Sequence, residues 1–217
     1  MTLSLFEDEP RAQPSRDELC DGAVVLRGFA LANEAAILAA VAEVSGSSPF
    51  RHMITPGGFR MSVAMTSCGS CGWVTDRSGY RYEALDPESG EPWLAMPLAL
   101  RKLAHDAAAS AGFAHFDPDS CLINRYVAGA RMSLHQDKDE RDFTQPIVSV
   151  SLGLPAVFLF GGPRRNDKPI RVPLVHGDVV VWGGAARLRY HGVAPLKEGQ
   201  HSLLGEHRVN LTFRKAR

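Results

Sequence analysis

Residues Arg208-Val-Asn210-Leu-Thr212-Phe-Arg214 alternate without a break between polar and apolar side chains. On a β-strand successive side chains point to opposite faces. Arg208, Asn210, Thr212 and Arg214 therefore share one face, and Val209, Leu211 and Phe213 the other. The ordinary outcome of such alternation is a half-buried surface strand. If the polar face instead points into a closed β-structure, two arginines, an amide and a hydroxyl make a costly collection that is stable only when anions neutralise it. A small dicarboxylate would do so, each arginine gripping one carboxylate through paired N–H groups. Asn124 and Tyr126, also two residues apart, could add hydrogen bonds from a neighbouring strand.

The pattern around this strand favours a closed β-structure. Segments 121–126, 147–152, 156–160, 171–174, 178–182 and 208–214 are short, β-branched or alternating, and are separated by turns containing Gly or Pro. Such runs suggest a sandwich or jelly roll. The N-terminal half is mixed. Residues 1–18 read as a flexible tail with Pro10 and Pro14. Residues 23–27 read as a strand, and 34–44 as a helix capped by Asn33 and ended by Gly46. Residues 49–66 look like irregular strands broken at Pro56-Gly57-Gly58. Residues 67–93 form a long loop region that still carries Trp73, Tyr80, Tyr82 and Trp93, which marks a binding surface more than a connector. A second helix is expected from Pro97 to Ala111, stopped at Gly112.

At 217 residues, the chain suits one domain of ordinary size. No apolar run approaches the roughly 18 residues of a membrane span. The opening MTLSLFEDEP lacks the basic and then apolar regions of a secretory signal, so a cytoplasmic protein with no membrane partner is expected. The 24 basic and 24 acidic residues cancel, so a global field does not hold the protein to nucleic acid. Local clusters remain: Arg164, Arg165, Lys168 and Arg171, and Arg77 and Arg81 around Tyr80. On charge alone they read as solvated faces. Cys68-Gly-Ser-Cys71 has the spacing of a redox motif or half a zinc site. No second such pair completes it, and it does not lie between a strand and a helix.

His135-Gln-Asp137 places an imidazole and a carboxylate two residues apart, able to converge on one ion from an extended chain. A distant histidine would complete two His and one carboxylate. That set leaves three positions open, as non-haem iron(II) oxygenases require. His176-Gly-Asp178 has the same spacing, although an Asp beside a Gly before a strand is also ordinary turn chemistry. His191 or His201 could close a triad with either pair, so spacing alone leaves both open. His52, His105, His115 and His207 have no partner at a telling spacing.

Taken in order, Asn124-Arg-Tyr126-x2-Gly129-x5-His135-x-Asp137, His191 and Arg208-x-Asn210-x-Thr212-Phe-Arg214 resemble the AlkB family of iron(II)- and 2-oxoglutarate-dependent nucleic-acid dealkylases. The likeness runs from about residue 20 to the end. TPGGFRMSVAMTSCG near residue 55 and LHQDKDE near residue 134 resemble the bacterial repair enzymes of that family in particular. Together with the arginine-lined strand and the Asn124/Tyr126 pair, the resemblance chooses His135, Asp137 and His191 over the rival pair.

The resemblance implies a mainly β fold with flanking helices, a double-stranded β-helix (jelly roll) under an N-terminal nucleotide-recognition lid. It implies one dioxygenase domain over 19–217, with the lid at roughly 49–93 and the jelly roll at roughly 118–217. His135, Asp137 and His191 would hold Fe(II). Asn124, Tyr126, Arg208, Asn210 and Arg214 would bind 2-oxoglutarate, with O2 as second co-substrate. Trp73, Tyr80, Asp139 and Arg165 would contact the alkylated base and its strand. The implied activity is oxidative demethylation of bases such as N1-methyladenine and N3-methylcytosine, releasing formaldehyde, by a monomer. The implied partner is alkylated single-stranded DNA, with double-stranded DNA and RNA as further candidates. Two rivals remain: a 2-oxoglutarate oxygenase for a protein side chain or small molecule, and a non-catalytic damage-binding module.

Overall fold

A computed structural model describes residues 15–217. Its strands are β1 Ser15–Cys20, β2 Ala23–Arg27, β3 Ala64–Gly69, β4 Gly72–Asp76, β5 Gly79–Glu83, β6 Ser120–Tyr126, β7 Met132–His135, β8 Ile147–Gly153, β9 Ala156–Phe160, β10 Ile170–Leu174, β11 Val179–Trp182, β12 His191–Val193 and β13 Arg208–Arg214. Its α-helices are α1 Glu34–Ser47 and α2 Leu98–Ser110. Seven strands form one sheet in the order β1-β2-β11-β8-β13-β6-β3, and four form a second in the order β10-β9-β12-β7. Every pairing is antiparallel. β4 and β5 make a separate hairpin.

Alternation along the strands explains the layering, which is that of a jelly roll. On β11, Val179 and Val181 join a core with Ile37, Val44, Leu100 and Ala107 of the helices. Val180 and Trp182, between them, pack instead against Phe158 and Phe160 of the small sheet. β13 follows the same rule: Val209, Leu211 and Phe213 belong to the helix-covered core. Its polar residues therefore point between the sheets, where a one-residue slip in register would exchange the two faces. No helix among the described residues is long and apolar enough to cross a membrane.

Several elements differ from the sequence expectation. Of the tail expected over 1–18, residues 1–14 lie outside the described residues, while 15–18 belong to β1. That strand is charged because it is an edge, where charges discourage further pairing. The region expected to be loop from 67 to 93 contains the end of β3 and the β4–β5 hairpin. β3 pairs with β6, and β2 with β11, so both enter the large sheet. Asn33 stands at the N-cap of α1, yet its side chain makes no capping hydrogen bond. The helix runs through Gly46 to Ser47. Gly112 does follow α2, with φ +94°. Cys68 lies opposite Cys121 across β3 and β6, not against Cys71. All four cysteines are free, and Cys68 and Cys121 fill the helix-side core.

Candidate metal and co-substrate site

His135 and His191 are direct cross-strand partners where β7 meets β12, and their rings lie 4.4 Å apart. Asp137 follows β7 in extended chain. Ligand atoms of the three residues lie within 4.8 Å of one another. Nε2 of His135 is 3.6 Å from Oδ1 of Asp137, and Nε2 of His191 is 3.7 Å from Oδ2. Nδ1 of His135 contacts the Ser133 carbonyl at 2.8 Å and Nδ1 of His191 the Arg189 carbonyl at 3.1 Å. A carbonyl can only accept, so each Nδ1 carries the proton and each Nε2 offers its lone pair inward. This is the usual way a protein fixes metal-binding imidazoles.

The electrostatics suit a cation. Burial opposes ionisation of Asp137, but the Arg214 guanidinium and then the two imidazoles outweigh it and hold the carboxyl far below its usual range. Burial first, then His135, pushes His191 down to about 4, so it is a neutral ligand at physiological pH. The rival pair is fully spent on structure. Asp178 accepts from Arg27 Nη1 (2.7 Å) and from the main chain of Gly28 (3.0 Å) and Val175 (3.1 Å). His176 receives the Gly153 amide on Nδ1 (2.8 Å) and meets Glu34 through Nε2 (2.7 Å). His201 stacks on His176, ring centroids 4.5 Å apart, away from the triad.

Register builds the rest of the site. β13 lies between β6 and β8, so Arg208 faces Tyr126 and Gly153, Asn210 faces Asn124 and Ser151, and Thr212 faces Leu122 and Ser149. Asn210 Nδ2 donates to Ser149 Oγ (2.8 Å), and Asn210 Oδ1 accepts from Thr212 Oγ1 (3.0 Å). Asn124 Nδ2 reaches the same Oδ1 at 3.4 Å. Arg208 is 1% exposed. Its guanidinium lies over Tyr126, 5.0 Å from the ring centroid, and only Nη2 has a hydrogen bond, to Ser151 at 3.0 Å. Its Nε and Nη1 are buried and, among the described residues, without acceptors. A buried guanidinium with two empty donors is costly in isolation. It fits an anion brought in from outside.

Arg214 differs from the expectation that both arginines await a carboxylate. It donates through Nε (2.9 Å) and Nη2 (2.7 Å) to Asp137 Oδ2, and Glu140 Oε1 lies 3.4 Å from its Nε. Only Nη1 is unpartnered. Sequence reading missed Glu140, Arg187, Ser149 and Ser151, and it marked Tyr82 only as one of the aromatics of the 67–93 region. Residues 82, 140, 187 and 214 converge only in the fold, so spacing carried no signal for them.

The site opens into a cavity of about 760 Å³ whose wall includes Trp73, Tyr80, Asp139 and Arg165 as well as the triad and Arg208. Trp73 of β4 and Tyr80 of β5 stack at 5.6 Å, and Trp73 Nε1 donates to Asp139 Oδ2 at 2.9 Å. Arg165 is an exposed residue of the β9–β10 connection. Arg81 is paired on the hairpin surface with Asp76 (2.9 Å) and Glu83 (2.6 Å).

Comparison with known proteins agrees with this geometry. The family model for the 2OG-Fe(II) oxygenase superfamily matches residues 22–214. The chain is 56% identical over 214 residues to alpha-ketoglutarate-dependent dioxygenase AlkB of Salmonella typhimurium, covering 99% of this chain and 98% of that one. It is 55% identical over the same length and coverage to AlkB of Escherichia coli K12. It is 30% identical over 131 residues to human nucleic acid dioxygenase ALKBH1, covering 59% of this chain and 33% of that one. The solved structure of OsALKBH1 superposes with a TM-score of 0.80 at 29% identity, covering 93% of this chain and 100% of that chain.

Proposed function

The chain belongs to the 2OG-Fe(II) oxygenase superfamily and, within it, to the AlkB family, and from there we propose that it removes N-methyl groups from N1-methyladenine and N3-methylcytosine in DNA. It is an iron(II)- and 2-oxoglutarate-dependent dioxygenase of nucleic-acid bases. The observation that carries the reading is the junction of two constellations in one cavity: a His-Asp-His cluster and a buried arginine with empty donors, beside a stacked Trp–Tyr pair.

His135, Asp137 and His191 would hold the iron, each histidine through Nε2. With 2-oxoglutarate and O2, a bound iron would supply the oxidising chemistry that converts 2-oxoglutarate to succinate and CO2 and an N-methyl group to formaldehyde. Arg208 would take the 2-oxoglutarate carboxylate that is not on the metal, with Tyr126 beneath its guanidinium and Asn124 and Asn210 beside it. This sharpens the sequence reading, in which the two arginines were equivalent. Arg214 orients Asp137 and offers its single empty donor to the co-substrate.

A base inside a duplex cannot reach this buried cluster, so the target is single-stranded or flipped, and a methylated base that pairs poorly costs least to extrude. Trp73 and Tyr80 would grip it by stacking, worth roughly 1–3 kcal/mol per base. Asp139 then lies close to a cationic base, favouring the charged N1-methyladenine and N3-methylcytosine over neutral lesions. Arg165, exposed on the cavity wall, would meet a phosphate of the strand. We take β4–β5 and its flanking chain as the lid of a single domain, acting as a monomer because one chain supplies the whole site. Four free thiols, two of them side by side, support a cytoplasmic location.

The test is formaldehyde release from N3-methylcytosine oligonucleotides, as single strands, duplexes and RNA, with and without 2-oxoglutarate. Release that needs 2-oxoglutarate and is fastest on single-stranded DNA is expected. Turnover of 2-oxoglutarate without base repair would instead indicate a different substrate, and binding without turnover a non-catalytic module.

A further inference from the structure

A continuous run of polar contacts leads from the metal carboxylate to the β4–β5 hairpin. Arg214 puts Nε and Nη2 on one oxygen of Asp137, Oδ2, which leaves Oδ1 free toward His135. Glu140 lies against Arg214 through Oε1, and its Oε2 accepts Arg187 Nη2 at 3.1 Å. Arg187 returns to the cluster by donating to the main-chain carbonyl of Asp137 at 2.8 Å. Tyr82, on β5, donates its hydroxyl to Glu140 Oε1 at 2.5 Å. Asp137, Glu140, Arg187 and Arg214 are all buried. Two carboxylates and two guanidiniums balance one another within the group.

The far end of this run is the base-gripping hairpin itself. Tyr82 is the cross-strand partner of Trp73, and Trp73 stacks on Tyr80. The segment after β7 therefore holds the hairpin twice, through Trp73 on Asp139 and through Tyr82 on Glu140. The first contact is exposed and lies where a base would enter. The second is largely buried and leads to Asp137.

Resting on the function proposed above, we propose that Glu140 is a positioning residue that couples the β4–β5 hairpin to the metal carboxylate. Held by Tyr82, Glu140 fixes Arg214, and Arg214 fixes which oxygen of Asp137 faces the metal. A base seated against Trp73 and Tyr80 moves the hairpin, and with it the Tyr82 hydroxyl, so the metal site senses whether the lid is filled. Consumption of 2-oxoglutarate is thereby tied to the presence of a base.

Tyr82→Phe tests this most cleanly, because it deletes one hydrogen bond and keeps all four charges. Three readouts apply: succinate formed per formaldehyde, the KM for methylated oligonucleotide, and the visible charge-transfer band of the anaerobic iron(II)–2-oxoglutarate protein before and after oligonucleotide is added. The expected result is a rise in the succinate-to-formaldehyde ratio of about fivefold or more, the lower edge of usual coupling factors. KM should stay near that of the wild type, the melting temperature should fall by no more than the loss of one hydrogen bond to a charged group gives, and the band should no longer respond to oligonucleotide. Glu140→Gln should change the ratio and the band in the same direction. An unchanged ratio and an intact band response in Tyr82→Phe would overturn the proposal and leave Glu140 as a neutralising charge. A raised KM alone would also overturn it, making Tyr82 a hairpin contact only. Wild-type protein that forms no formaldehyde would overturn the function itself and the coupling with it, whereas the variants bear on the coupling alone.

Discussion

Arg214 takes Oδ2 of Asp137 with two N–H groups, and the oxygen left over is the one beside Nε2 of His135. Asp137 therefore serves the metal with one oxygen and a buried cation with the other. Asp137→Ala should lose iron-dependent turnover altogether. It should also destabilise the fold by about 3–5 kcal/mol, the usual cost of removing one partner from a buried ion pair. Iron titration and denaturant unfolding measure the two effects. His176→Ala gives the contrast. It should leave iron binding intact and cost about 1–3 kcal/mol, because the buried Gly153 amide loses its acceptor. Loss of iron in that variant would return the choice to the rival pair.

His191 gives a pH prediction for the iron-free protein. Its folded pKa, about 4, lies below the ordinary 6.5. As pH falls the unfolded chain takes the proton first, so stability is intact above pH 6.5 and is lost between 6.5 and 4. This residue alone should remove about 2 kcal/mol between pH 7 and pH 5. The check is metal-free urea unfolding of the wild type and of His191→Asn, with the slope expected to flatten in the variant.

Among the elements, the close approach of β12 to β7 brings the two histidines together. A Cβ on Gly192 would lie 2.6 Å from the Met132 carbonyl and 3.1 Å from Ser133, both backbone atoms that cannot turn aside. Gly192→Ala should push the strands apart. Iron affinity should fall by about 10–100-fold, as when ligand-orienting groups are lost, and stability by about 1–3 kcal/mol. Calorimetric iron titration of the variant would show it. These two strands were also the least legible in the sequence. Met132–His135 and His191–Val193 are short, and their inward positions carry ligands where a strand normally shows apolar residues. By contrast, β8, β11 and β13 could be read directly: β11 is apolar because it faces two cores, and β13 alternates because one face meets a core and the other the polar site. β4, β5 and the end of β3 looked like loop because residues 67–93 are rich in Gly, Ser, Asp and Pro. β1 looked like tail because an edge strand can afford charges.

For the whole molecule, the balance of 24 basic and 24 acidic residues sets how nucleic acid is held. The exposed cations that line the cavity are Arg60, Arg131, Lys138 and Arg165. If each meets a phosphate, log K against log[salt] for a single strand should have a slope of about −3, at 0.7 per contact. Fluorescence anisotropy across salt concentrations measures it, and a slope several times steeper would require a basic surface the fold does not present. At this scale too the sequence was unequal. The triad and the arginine strand could be named from spacing and resemblance, because each is local or periodic. The Tyr82–Glu140–Arg187–Arg214 group could not, because its members come from four separate parts of the chain.

The most direct measurement is a crystal grown anaerobically with iron(II) and 2-oxoglutarate, with anomalous diffraction recorded at the iron edge. The expected result is a single peak touching Nε2 of His135, Oδ1 of Asp137 and Nε2 of His191, with the far carboxylate of 2-oxoglutarate on Nε and Nη1 of Arg208. A peak at His176 and Asp178, or a co-substrate that leaves Arg208 unpaired, would contradict it.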